Sequence, residues 1–120
     1  MTDRGRPLAR IEMLQGTLDL IILQTLRWGP RHGYGLAQLI QSTSRNVLQV
    51  NTGSLYPALH RLARRKLVEA RWVKSESGQR VREYRLTEAG RGHLAVERDR
   101  WALLSDVMAR ILASPQEGEA

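Results

Sequence analysis

The stretch from Asn51 to Arg61 concentrates hydrogen-bonding side chains on a basic background: Asn51, Thr52, Ser54, Tyr56, His60 and Arg61, with Pro57 among them. Leu55, Leu59 and Leu62 recur through it at helical spacing, so the polar side chains share the opposite side of a short amphipathic helix. Hydroxyls at a helix N-terminus suit phosphate oxygens, because the unpaired backbone N–H groups there already favour anions. Thr52, Ser54 and Tyr56 are the phosphate candidates; packing of Tyr56 against a neighbouring hairpin is the competing reading. Asn51 reads first as a cap. Pro57 and His60 are placed to lie against base edges or a thymine methyl. Arg61 points outward at helical spacing and is a stronger candidate than Arg64, which falls late in the helix.

A second basic set follows. Residues 68–74 and 80–86 alternate as paired strands do, with Val68, Ala70 and Trp72 on one face answered by Tyr84 and Leu86. The connecting Ser75-Glu-Ser-Gly-Gln79 has hairpin turn chemistry. Gly78, Gln79, Arg80 and Arg82 are the candidates there, since glycine lets the backbone approach a phosphate and arginine favours a narrow minor groove. Arg71 and Lys74 are expected to supply long-range field instead of contacts. A basic helix followed by a basic hairpin is the order of a winged helix, which lays the helix in a DNA major groove.

Catalysis is not expected from the same residues. Ser54 and His60 have no carboxylate beside them, and no strained, glycine-flanked elbow holds the serine. His32, His60 and His93 lack metal-ligand spacing, and the chain has no cysteine, so neither a metal nor a cofactor is expected. No run approaches the roughly 20 apolar residues of a membrane span. No export signal is visible, and the expected location is the cytoplasm.

The net charge of +7 is unevenly distributed. Residues 27–85 hold twelve Lys and Arg against three acids, while residues 1–26 are balanced and residues 86–120 carry a net −2. The excess therefore coincides with the helix and hairpin, as the footprint of a polyanionic partner such as nucleic acid would.

The remaining elements must position these residues within one domain. Residues 1–12 read as a flexible arm. A first helix over 14–28, apolar around most of its circumference, ends at Gly29-Pro30. A second opens at Gly33-Tyr-Gly35, and Val47 to Val50 reads as a short strand. The basic helix begins at Asn51 or Ser54, with Pro57 favouring the later start. Trp28, Tyr34 and Trp72 read as core or seam residues.

Thr87 caps a last helix that runs to about Ala113, before a flexible tail over 114–120. Its stripe of Leu94, Trp101, Leu104, Met108 and Ile111, flanked by Val96, Leu103, Val107 and Leu112, is longer than the small body beneath it. The surplus predicts a homodimer joined along this helix. The predicted fold class is mainly α with a small β-hairpin wing: a winged helix-turn-helix over 13–87 and a dimerisation helix over 88–113.

Four segments together resemble the PadR family of bacterial transcriptional regulators: Gly16-Thr-Leu-Asp-Leu-Ile-Ile-Leu23, His32-Gly-Tyr-Gly-Leu36, Gly53-Ser-Leu-Tyr-Pro-Ala-Leu-His-Arg-Leu62 and Tyr84-Arg-Leu-Thr-Glu-Ala-Gly90. They run in family order. The resemblance implies a dimer that represses its own or nearby genes from an inverted-repeat operator on double-stranded DNA, in the compact subgroup with one C-terminal helix. It also implies release by a small molecule, with Trp101 at the place of a tryptophan that stacks on flat aromatic ligands. Two positions depart from the family: Lys66 stands where glycine is usual, and Glu83 replaces an aromatic at the end of the wing. A winged-helix module that docks an acidic protein surface is the alternative function.

Overall fold

The computed structural model describes residues 15–113 and Pro115. Its elements are α1 (Gln15–Arg27), β1 (Arg31–His32), α2 (Gly33–Thr43), α3 (Thr52–Arg64), β2 (Val68–Lys74), β3 (Arg80–Leu86) and α4 (Glu88–Leu112). The arm expected over 1–12, the helix start expected at Leu14 and, apart from Pro115, the tail over 114–120 lie outside the described residues.

Ile22, Leu23 and Leu26 of α1, Leu36 and Ile40 of α2, and Leu55, Ala58, Leu59 and Leu62 of α3 close on Val68, Tyr84 and Leu86 of the sheet. α1 packs against α2, α3, α4 and β3, which accounts for apolar residues around most of its surface. Among the described residues no helix is long and apolar enough to cross a membrane.

The sheet has strand order β1-β3-β2, all antiparallel. β1 was not expected from sequence: a two-residue strand has no periodicity to read. The strand expected over 47–50 does not form. Arg45 and Asn46 turn the chain through left-handed conformations at φ 55° and 68°. Leu48 and Val50 then fold partly onto the core, and the outer edge of β3 is already taken by Arg31 and His32.

α3 takes the earlier of the two expected starts. Asn51 caps it, its side-chain oxygen accepting from the Ser54 N–H at 2.9 Å. Pro57 is therefore interior, against the expectation drawn from it. The bond it forfeits would end on the carbonyl of exposed Gly53, which water can reach.

The far end of α3 is closed by a Schellman turn. The Leu67 N–H donates to the Leu62 carbonyl at 3.0 Å and the Lys66 N–H to the Ala63 carbonyl at 2.9 Å. Lys66 takes the left-handed conformation (φ 63°) that glycine would fill without strain. The lysine has thus replaced the residue without reshaping the turn.

α4 docks onto that turn. The Thr87 hydroxyl donates to the Lys66 carbonyl at 2.7 Å and accepts from the Gly90 N–H at 2.9 Å. A Cβ at Gly90 would collide with the Leu67 carbonyl. The motif Leu86-Thr-Glu-Ala-Gly90 is thereby explained as a cap followed by a close backbone approach.

Three aromatic residues depart from their expected places. Trp28, Tyr34 and Trp72 are all more than half exposed. Leu94 also differs: placed by its spacing on the dimer stripe, it is 1% exposed and belongs to the core of its own domain. α4 packs on α1 and β3, with Gly90 and Leu94 its buried residues, and its large apolar side chains are exposed from Val96 onward.

Candidate nucleic-acid interface

Leu55, Ala58, Leu59 and Leu62 are buried at i, i+3, i+4 and i+7 along α3, which turns a second set of residues outward. Thr52, Ser54, Pro57, His60 and Arg64 form that exposed ridge, with Asn51 at its head. The ridge begins at the helix N-terminus, where backbone donors face outward. The Oδ1 of Asn51 is committed to the cap.

Arg61 does not belong to the ridge, contrary to its expected outward direction. It sits beside the apolar stripe, three residues after buried Ala58, and its Nη2 reaches Asp19 Oδ1 of α1 at 3.0 Å. Its side chain is 27% exposed and that of Asp19 13%, so the pair ties α1 to α3 largely away from solvent. The Arg61 Nε is buried without a partner.

Tyr56 lies on the other flank of α3, half-buried, with its ring and hydroxyl against Gly33 at the start of α2. A side chain at Gly33 would occupy the space of that ring. The ring thus packs on α2 and not on the hairpin, as the competing reading had it, and Tyr56 lines an open cleft.

The hairpin has two unlike faces. On the outer face Glu69 pairs with Arg85 and Arg71 with Glu83, each at 3.7 Å, and Val73 opposes Val81. The inner face runs from buried Val68, Leu86 and Tyr84 out to Trp72 opposite Arg82 and Lys74 opposite Arg80. Glu83 therefore offsets Arg71 on the outer face and leaves the inner face cationic. Lys74, expected only as a source of field, shares the inner face with both arginines. The alternation of the strands held the signal for Trp72 and Lys74, since both have the parity of Val68.

The wing tip is held by its own backbone. The Ser75 N–H donates to the Gln79 carbonyl at 2.7 Å and the Gly78 N–H to the Ser75 carbonyl at 2.9 Å. Gly78 takes φ 91°, and Gln79 beside it is exposed. Between the wing, Tyr56 and the His32–Tyr34 start of α2 lies a cleft of about 540 Å³. Exposed Arg80 and Arg82 open onto it. Such an arrangement suits a polyanion lying along α3 with one strand of its backbone passing the wing.

Two further features lie away from this face. Beyond its second turn α4 exposes Val96, Trp101, Leu103, Leu104, Met108, Ile111 and Leu112, with Val107 half-buried. A cavity of about 500 Å³ between α1, α2 and the middle of α4 is lined by Leu20, Ile21, Trp28, Leu48 and Trp101. Gln24 also lines it, and its Oε1 is buried without a donor. Among the described residues no cluster of three or more His, Asp or Glu could hold a metal.

Comparison with known proteins bears on these features. The family model described as "Transcriptional regulator PadR-like family" matches residues 22–96. An uncharacterized protein from Lysinibacillus sphaericus is 28% identical over 101 residues, covering 84% of this chain and 93% of that protein. The crystal structure of a PadR-like transcriptional regulator from Bacillus cereus superposes with a TM-score of 0.75 at 27% identity, over 85% of this chain and 97% of the other. A PadR family transcription regulator from Clostridium difficile gives 0.71 at 27% identity, over 82% of this chain and 100% of the other.

Proposed function

The chain belongs to the PadR-like family of transcriptional regulators, and from that premise we propose that it is a dimeric, sequence-specific repressor of its own or a neighbouring operon. One observation carries the reading: Tyr56, on the flank of the exposed α3 ridge, lines the same cleft as Arg80 and Arg82 of the cationic inner face of the wing. Thr52, Ser54 and Tyr56 supply hydroxyls to phosphates, Pro57 and His60 face the base edges, and Gly78 to Arg82 meet the backbone beside the groove. Arg61 is withdrawn from this set because Asp19 engages it.

The exposed stripe of α4 supports the dimer. An apolar surface from Trp101 to Ile111 along one helix face needs a cover in water, and a second copy supplies an identical stripe. The two-fold symmetry then calls for an inverted-repeat operator. Such a protein works in the cytoplasm, where the chromosome it reads lies.

The cavity beside Trp28 and Trp101 supports regulation by a flat aromatic effector. Its apolar walls suit an aromatic ring. An effector there changes DNA binding only through its different affinities for two spacings of the recognition helices.

The test is a titration of the protein against the duplex upstream of its own gene and an unrelated duplex, across a salt series. Specific binding tighter by at least about a hundredfold, falling steeply with salt, is the expected result. Equal, weak binding to both would overturn the reading in favour of a protein-docking module.

A further inference from the structure

Trp72 is a large aromatic residue left 54% exposed, beyond the edge of the core on the inner face of the wing. Two cations lie over its ring. The Arg80 guanidinium carbon is 4.9 Å from the ring centroid and that of Arg82 is 5.3 Å away, both within the reach of a cation–π interaction. Arg82 is the direct cross-strand partner of Trp72, and Arg80 is its diagonal neighbour. These two differ from the outer-face arginines. Arg71 and Arg85 each pair with a glutamate, whereas among the described residues Arg80 and Arg82 enter no ion pair.

We propose that Trp72 is a positioning residue for DNA binding, its ring holding Arg80 and Arg82 with their charges aimed into the cleft beside Tyr56. This rests on the DNA-binding reading above. A guanidinium lying on a ring keeps the N–H groups around its rim free to meet a phosphate. An unrestrained arginine loses much rotamer freedom when it binds. A ring that already limits two of them reduces that loss before the duplex arrives. The outer face has no such device, and its cations are already compensated by glutamates.

Fluorescence anisotropy with a duplex recovered by in vitro selection, in low salt and across a salt series, tests the proposal. The proteins are wild type, Trp72→Ala, Trp72→Phe, the Arg80→Ala/Arg82→Ala pair and the triple variant, each with its unfolding midpoint. Trp72→Ala is expected to weaken binding about three- to tenfold. Trp72→Phe, which keeps an aromatic face, should lose about twofold or less. Affinities are compared well below each midpoint, since a ring 54% exposed is also nearly half covered and Trp72→Ala should lower the midpoint by a few degrees. In the Arg80→Ala/Arg82→Ala background, Trp72→Ala should change nothing further.

Wild-type affinity in Trp72→Ala would overturn the proposal. So would an equal loss in both backgrounds, since the ring would then act on DNA in its own right. Should Trp72→Ala fail to fold, Trp72→Leu, which keeps apolar bulk and lacks an aromatic face, carries the same comparison in the two backgrounds. A wild-type protein that binds no duplex even in low salt would remove the DNA-binding reading and the proposal together. That result is distinct from a binding protein indifferent to position 72.

Discussion

Replacing Arg61 with alanine tests whether that residue serves the fold or the DNA. In the structure its guanidinium meets Asp19 at 3.0 Å, with side chains 27% and 13% exposed. Breaking a fully buried pair by removing one partner costs about 3–5 kcal/mol, and an exposed pair contributes at most about 1 kcal/mol. The partial exposure of Arg61 places this pair between those limits, at about 2–3 kcal/mol. For a domain of this size that lowers the unfolding midpoint on the order of 10–15 °C. Circular dichroism melts would measure it at one fixed protein concentration, because association makes the midpoint concentration-dependent.

Asp19→Ala in the Arg61→Ala background removes the stranded carboxylate and should recover about 1–2 kcal/mol of the loss. Measured well below its midpoint, Arg61→Ala should bind DNA within about threefold of wild type, through loss of field alone. A variant that melts like wild type, binds DNA tenfold or more weakly and has a shallower salt dependence would refute the assignment. Arg61 would then be a phosphate contact and its ion pair dispensable.

Lys66→Gly should stabilise the domain by about 0.5–1 kcal/mol, the relief of a left-handed lysine outweighing the added freedom of the unfolded chain. A midpoint at or below that of wild type would contradict this. Gly90→Ala should destabilise by more than about 2 kcal/mol, because its Cβ meets backbone that cannot turn aside; a denaturant melt reads it, and a loss under about 0.5 kcal/mol would show that α4 can shift freely. Tyr56→Phe should leave the melting curve unchanged and weaken DNA binding by about 0.5–1.5 kcal/mol, the worth of one hydroxyl hydrogen bond. Unchanged affinity would confine Tyr56 to packing.

Patterns that repeat were legible in the sequence, and contacts between distant segments were not. The apolar triad of α3, the hairpin alternation and the Thr87 cap all lie within local windows, and each was read as it forms. β1 escaped because two residues cannot show a period. The outward direction assigned to Arg61 failed because a helical wheel of α3 cannot see α1. The clue was Asp19, the one acid of α1, set against a cation at the edge of another apolar stripe. Leu94 fits the dimer spacing and the core equally well, and only the depth to which α1 and β3 cover α4 separates the two. Trp72 was assigned inward on correct parity; what the parity omits is that the inner face outruns the core at that point.

The junction where Thr87 and Gly90 clasp the Lys66–Leu67 turn has a mechanical consequence. Gly90 meets the Leu67 carbonyl with no side chain between, and the Thr87 hydroxyl holds the Lys66 carbonyl, so the end of α3 and the start of α4 have little slack through which one could rotate alone. A rigid rod of about 37 Å, the length of 25 helical residues, is thus welded to the end of α3. A tilt of a few degrees imposed at its far end swings α3 through an arc instead of dissipating in a hinge.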